Sequence, residues 1–190
     1  MTTAHDILTF WFSDGPNSKR EIWFQVDPSF DSRCRILCAE LLKPAREGRL
    51  DHWLEATDGA LALILLLDQM PRNIHRGRAE AFASDGKART VARIALANEI
   101  DRQLLPAQRG FIYLPFEHAE NIDDQDLSVR LFTALCEDPG LSNPARTLDF
   151  VHRHRDVIHR FGRFPHRNAA LGRVSTVVEA DYLTRPGAGF

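Results

Sequence analysis

The densest concentration of chemically capable side chains lies toward the C-terminal end, in Arg160-Phe-Gly-Arg-Phe-Pro-His-Arg-Asn168 followed by Leu171-Gly-Arg173. A guanidinium group presents paired, coplanar donors that match the oxygens of a carboxylate or phosphate two at a time. Arg160, Arg163 and Arg167, with His166 and Asn168, therefore have the makings of a site for a small anion or an acidic peptide. The same residues would serve equally as internal salt bridges. Gly162 ends the preceding helix and Pro165 blocks its immediate resumption, which makes the segment a sharp connector with Phe161 and Phe164 as anchors. The basic, aromatic-interleaved pattern also resembles a nucleic-acid contact. The segment is short, however, the chain as a whole carries a net charge of −2, and it has no recognition module, which argues against nucleic acid.

Three other places hold groups that could do chemistry. Asp68-Gln69 ends a run of apolar residues, where a carboxylate would face the negative end of a helix dipole and need a cationic partner. Arg72 is near in sequence, Asn73 beside it, and the C-terminal arginines are candidates in space. Phe111-Ile-Tyr-Leu-Pro-Phe-Glu-His118-Ala-Glu120 crowds Glu117, His118 and Glu120 just past Pro115. A histidine beside carboxylates can act as a general base or a metal ligand. Adjacent helical residues diverge by about 100°, so Glu117 and His118 cannot chelate as an i, i+4 pair would, and no metal site is expected. His154 falls in the middle of the apolar half of its helix, where it is either a hydrogen-bonded core residue or a base with a shifted pKa. The chain has no glycine-rich phosphate loop, Gly-x-Ser-x-Gly elbow, His-Glu-x-x-His or paired-cysteine motif, and no cofactor is implied.

Helical spacing dominates the elements that must position these groups. A short helix is expected from about residue 4 to 12, with Thr3 and Asp6 as a capping pair. Asp27-Pro28 opens the next, whose apolar residues Phe30, Cys34, Leu37, Cys38, Leu41 and Ala45 recur at helical intervals. Trp53 sits in a single turn. Thr57 or Asp58 then begins a helix through Ala60–Leu67, apolar on every side and so expected to be surrounded by other helices. Further helices are expected at about 84–99, 106–118, 122–137, 145–161 and 176–183, and no hairpin-forming alternation appears. Their starts suggest antiparallel helical hairpins, arranged as a superhelix or a compact bundle.

One all-α domain over residues 1–190 is therefore expected, with 185–190 as a loose tail. No segment has the roughly 18 apolar residues of a membrane span, and the first residues lack the form of a signal peptide. Cys34 and Cys38 lie on a buried face without metal or disulfide spacing, which fits a reducing cytoplasm. Charge is uneven. Seven arginines against two acids leave residues 146–173 at +5, so the remainder carries −7, and either a partner or internal pairing must answer that asymmetry.

Several of these stretches together resemble a bacterial family called domain of unknown function 924. They are Ile7-Leu-Thr-Phe-Trp-Phe12, Trp23-Phe24, Phe30-Asp31, Leu65-Leu-Leu-Asp-Gln-Met-Pro-Arg-Asn73, the Phe111–His118 string with Glu120, Asp124-Gln125, and His154 through Asn168, with Leu171-Gly-Arg173 and Ser175-Thr176. The resemblance spans nearly the whole chain. Met70, Glu117 and Ala119 depart from it, standing where Phe, Met and Ser are common, and the missing serine removes a nucleophile from that segment. The resemblance implies an all-helical fold grouped with tetratricopeptide-like superhelices, and attaches no activity, substrate or cofactor. The expectation is a binding module for a small anion or peptide, using Asp68, Gln69, Arg72, Asn73, His154, Arg160, Arg163, His166, Arg167 and Asn168. The alternative is a small hydrolase in which His118, His154 or His166 is the base and Asp68 or Glu120 orients it. Homo-oligomerisation is left open.

Overall fold

The computed structural model describes residues 2–17 and 20–189, and among them all regular structure is helical. In order come α1 (Ala4–Trp11), α2 (Pro28–Arg46), α3 (Thr57–Ile64), α4 (Met70–Ile74), α5 (Asp85–Ala97), α6 (Pro106–Glu117), α7 (Ile122–Leu135), α8 (Pro144–Phe161) and α9 (Val177–Leu183). The caps read from the sequence are formed. Thr3 and Asp6 close a capping box on α1, Asp27 accepts from the Phe30 amide at 2.8 Å, and Thr176 and Glu179 cap α9 reciprocally. Each satisfies first-turn N–H groups that a helix cannot pair internally. No helix among the described residues is long and apolar enough to cross a membrane.

The apolar run is the hub of the core. Ala60 through Leu67 are wholly buried, and α3 packs against α1, α5, α6 and a 3-10 turn at Asp51–Glu55. Gly59 allows that last contact, because a Cβ there would lie 2.2 Å from the Trp53 carbonyl oxygen. At about 1.5–3 kcal/mol for each buried leucine or isoleucine, this run anchors the fold. Trp11, Trp23 and Phe111 close one end of the core by stacking and edge contacts. On the other sides α2 packs on α4, and α6, α7 and α8 pack in succession.

The sequence places Asp68 at the C-terminal end of the apolar helix, and the structure corrects this. A π-helical turn, Leu65–Gln69, carries α3 into α4 without leaving helical backbone angles, and the Met70 amide reaches back to the Leu65 carbonyl. The cause follows directly: Pro71 has no N–H to give the Leu67 carbonyl and crowds it. The Ser84 hydroxyl donates to that freed carbonyl at 2.6 Å. Asp68 and Gln69 therefore sit within a buried rod rather than at its end.

Among residues 185–189 all but Ala188 are exposed. Ala188 is buried, and the Gly187 carbonyl accepts from Arg153 of α8 at 2.8 Å. Phe190 lies outside the described residues. Cys34 and Cys38 are free and buried, and desolvation pushes both thiols up to about 12, which leaves them unreactive.

Candidate functional site

The π turn sets Asp68 against the end of α6. His118, the C-cap residue of α6, directs Nδ1 at both oxygens of the Asp68 carboxylate, at 2.9 and 3.0 Å. Asp68 is fully buried, and it also accepts from Gln69 at 2.6 Å and lies 3.2 Å from Arg72. Burial alone would raise its pKa, but Arg72 and then His118 outweigh that cost and hold it below the usual carboxylate range. His118 is shifted down from its ordinary value, chiefly by burial and then by Arg72, so near neutral pH it is an uncharged imidazole. With Nδ1–H given to Asp68, Nε2 is left as the acceptor, and it has no hydrogen-bond partner among the described residues. The ring is held from behind. Gln125 on α7 donates to the Glu117 and Ala119 carbonyls at 2.6 and 2.8 Å, closing the α6 terminus that carries His118.

Arg72 and Arg167 share one acid. Arg72 grips Asp85 with two bonds, at 2.9 and 3.1 Å, and donates to the Asp68 carbonyl at 2.6 Å. Arg167 reaches Asp85 through Nη1 alone, at 3.3 Å. Its guanidinium lies between the rings of Phe82 and Phe164, 4.7 and 4.4 Å from their centroids, and the residue is only 5% exposed. Burial and the neighbouring Arg72 lower its pKa to about 10, a sign that its charge is incompletely answered. The Nε–Nη2 edge of Arg167 has no hydrogen-bond partner among the described residues, and Nε is buried. That edge is the one with which Arg163 grips Glu179 and Arg76 grips Asp31.

The remaining candidates separate into other roles. His154 is buried; its Nδ1 lies 2.8 Å from the Phe150 carbonyl and 3.2 Å from Glu117, and desolvation brings its pKa down to about 3. Glu120 accepts from the Phe164 amide and twice from Arg173, so it braces the connector. Arg163 is committed to Glu179 and the Val174 carbonyl. His166 is shifted down to about 4 by burial and then by Arg167. Asn168 gives its amide to Ser175 and leaves a buried carbonyl oxygen, Oδ1, without a partner among the described residues. Asn73 binds Asp31 across the α2–α4 contact, and exposed Arg160 lies over the Phe161 ring on α8. Neither belongs to the Asp68–His118 group. Internal pairing accounts for much of the charge asymmetry, through Arg155–Asp126, Arg163–Glu179, Arg167–Asp85 and Arg173–Glu120.

Asp85, the acid both arginines depend on, is missed by the sequence reading. An aspartate in the first turn of a helix is where the dipole favours one, so its position carried no signal. Among the described residues no three His, Cys, Asp or Glu side chains group as metal ligands.

The comparisons agree with this architecture. Residues 7–187 match a family described as bacterial protein of unknown function, DUF924. The chain belongs to DUF924. A solved structure, that of the protein of unknown function ATU0120 from Agrobacterium tumefaciens, shares 39% identity over 95% of this chain and 96% of its own, with a TM-score of 0.84. Nothing among curated proteins matches the chain. The motifs that carry the DUF924 resemblance, Leu65–Asn73, Phe111–His118 and Arg160–Asn168, are the segments that supply Asp68, Arg72, His118 and Arg167 to one place.

Proposed function

We propose that this protein binds the carboxylate or phosphate group of a small molecule on the unpaired edge of Arg167. The unpartnered Nε–Nη2 edge of a buried guanidinium is the observation that carries this reading. A cation taken out of water retains a large penalty unless it is paired and hydrogen-bonded, and the acid that Arg167 contacts among the described residues is shared with Arg72. An incoming anion relieves that deficit, and the two phenyl faces hold the guanidinium plane ready for bidentate contact. The neighbouring side chains of Arg72 and His118 are 19% and 15% exposed, which leaves a short path from solvent toward Arg167 as part of this reading. A reducing, cytoplasmic setting suits three free cysteines.

A second reading has its own support in the 2.9 Å contact between His118 and Asp68. A neutral imidazole fixed by a buried carboxylate is the arrangement of a general base, and the arginines would stabilise negative charge developing on a bound ester attacked by water.

One series of measurements tests both. Phosphate, phenyl phosphate, acetate and citrate are titrated while the melting temperature is followed. At about a hundred times Kd a ligand stabilises by about 2.7 kcal/mol, a rise of several degrees for a chain of this size. Arg167→Lys keeps the charge and loses the paired edge, so the rise is expected to shrink markedly. Arg167→Gln serves in its place if the lysine variant does not fold. A rise of undiminished size in both variants, or none with any anion, overturns the binding reading. His118→Gln is expected to retain the rise and to lose whatever ester hydrolysis the wild type shows; hydrolysis that survives it removes the base.

A further inference from the structure

Between the start of α2 and the end of α4 lies an open hollow of about 360 Å³, lined by Asp31, Ser32, Arg35, His75, Arg76 and Arg78 among others. Its size falls at the lower end of small-ligand sites, roughly 300–1,000 Å³. Its charges do not cancel. Asp31, the acid in the lining, is already saturated: Arg76 donates to it through Nε at 2.5 Å and Nη2 at 2.9 Å, and Asn73 at 2.8 Å. Arg35 gives Nη2 to the Ile74 carbonyl, which carries no charge, and the Arg78 side chain has no hydrogen-bond or ion-pair partner among the described residues. Two guanidinium charges therefore line the hollow without an acid to answer them.

The other groups suit an anion with more than one oxygen. His75 is shifted below its ordinary value by burial and then by Arg35, with Glu80 opposing, so near pH 7 it is a neutral ring able to donate one hydrogen bond. The Ser32 hydroxyl is exposed at the rim. Pro28 is the first residue of a 19-residue helix, which brings the positive end of that helix dipole to the same place. Pro28 and Ile74 add apolar surface beside the polar groups.

We propose that this hollow is a second binding site, for a phosphomonoester dianion, distinct from the edge of Arg167. Arg35 and Arg78 balance the two charges, His75 and Ser32 complete the donor set, and the organic group lies against Pro28 and Ile74. The site draws on α2 and the end of α4, and it stands whether or not Arg167 binds anything.

The test is titration calorimetry of the full chain with phenyl phosphate, using benzoate as a singly charged comparison. With the interior edge removed by Arg167→Lys, the chain is expected to show saturable binding that weakens at least about tenfold when R35A/R78A is added and is several-fold weaker for benzoate. Both arginines are exposed, so the double variant is expected to melt as the wild type does, which separates lost binding from lost fold. No saturable binding at millimolar phenyl phosphate overturns the proposal, as does equal affinity in the double variant. Binding that survives R35A/R78A and disappears in Arg167→Lys assigns the ligand to the interior edge and likewise overturns this site.

Discussion

Asp85 is the residue on which the interior charges turn. It neutralises Arg72 through two bonds and Arg167 through one, whereas Arg72 also has Asp68 within 3.2 Å. Removing Asp85 leaves Arg72 with one acid and Arg167 with none in contact. Breaking a buried pair by deleting one partner costs about 3–5 kcal/mol, because the surviving charge is left in a poor solvent. Asp85→Ala is accordingly expected to lose stability of that order in urea denaturation, and to gain more from added phosphate than the wild type does, because the anion takes the vacated place. A loss below about 1 kcal/mol, or no extra gain from phosphate, would show that Asp85 is a minor partner. The sequence made Asp68 conspicuous, since a carboxylate at the edge of eight apolar residues demands a partner. It left Asp85 inconspicuous, since an acid in a first helical turn needs no explanation.

At the level of elements, one proline decides where the site forms. Pro71 frees the Leu67 carbonyl, the helix widens into a π turn, and Ser84 reaches across to fill the vacancy. Such turns recur at functional sites because they re-phase the side chains of an otherwise regular rod. Ser84→Ala leaves a buried carbonyl unsatisfied and is expected to cost about 1–3 kcal/mol in chemical denaturation. Because Ser84 directly precedes α5, the substitution is also expected to loosen Asp85, its neighbour, and so to weaken anion binding. Unchanged stability would mean that water replaces the hydroxyl without cost. Helix locations were legible in caps and apolar spacing to within a residue or two at most ends. The continuation of α3 into α4 was not. Proline usually breaks a helix, and only a serine distant in sequence, brought close by folding, makes this one tolerable.

For the whole molecule, the shifted histidines and carboxylates act in one direction. His75, His118, His154 and His166 titrate below the ordinary histidine value in the folded chain, His154 at about 3 and His166 at about 4. Each therefore takes up its proton more readily when unfolded, and its contribution is present above about pH 6.5 and lost as pH falls. Asp68, Glu120 and Glu179 are depressed as well, Glu179 to about 2 through Arg163, so their contribution is lost below about pH 4.5. Stability is expected to be flat between about pH 7 and pH 8 and to decline in two stages on the acid side, with the urea midpoint already lower at pH 5 than at pH 7.5. A midpoint independent of pH over that interval would contradict the buried, neutral histidines. The all-helical class was legible from periodicity alone, and the pairing of the two charged ends was open in the sequence because no spacing rule says which arginine meets which acid.

The most direct measurement is the Nε–H resonance of Arg167, followed by nuclear magnetic resonance as phenyl phosphate is added to the R35A/R78A chain, so that the surface hollow is out of play. A saturable downfield shift of that signal, with the Arg163 Nε–H signal unmoved beside Glu179, is the predicted result. A stationary Arg167 signal at ligand concentrations that raise the melting temperature would place the anion elsewhere and contradict the account.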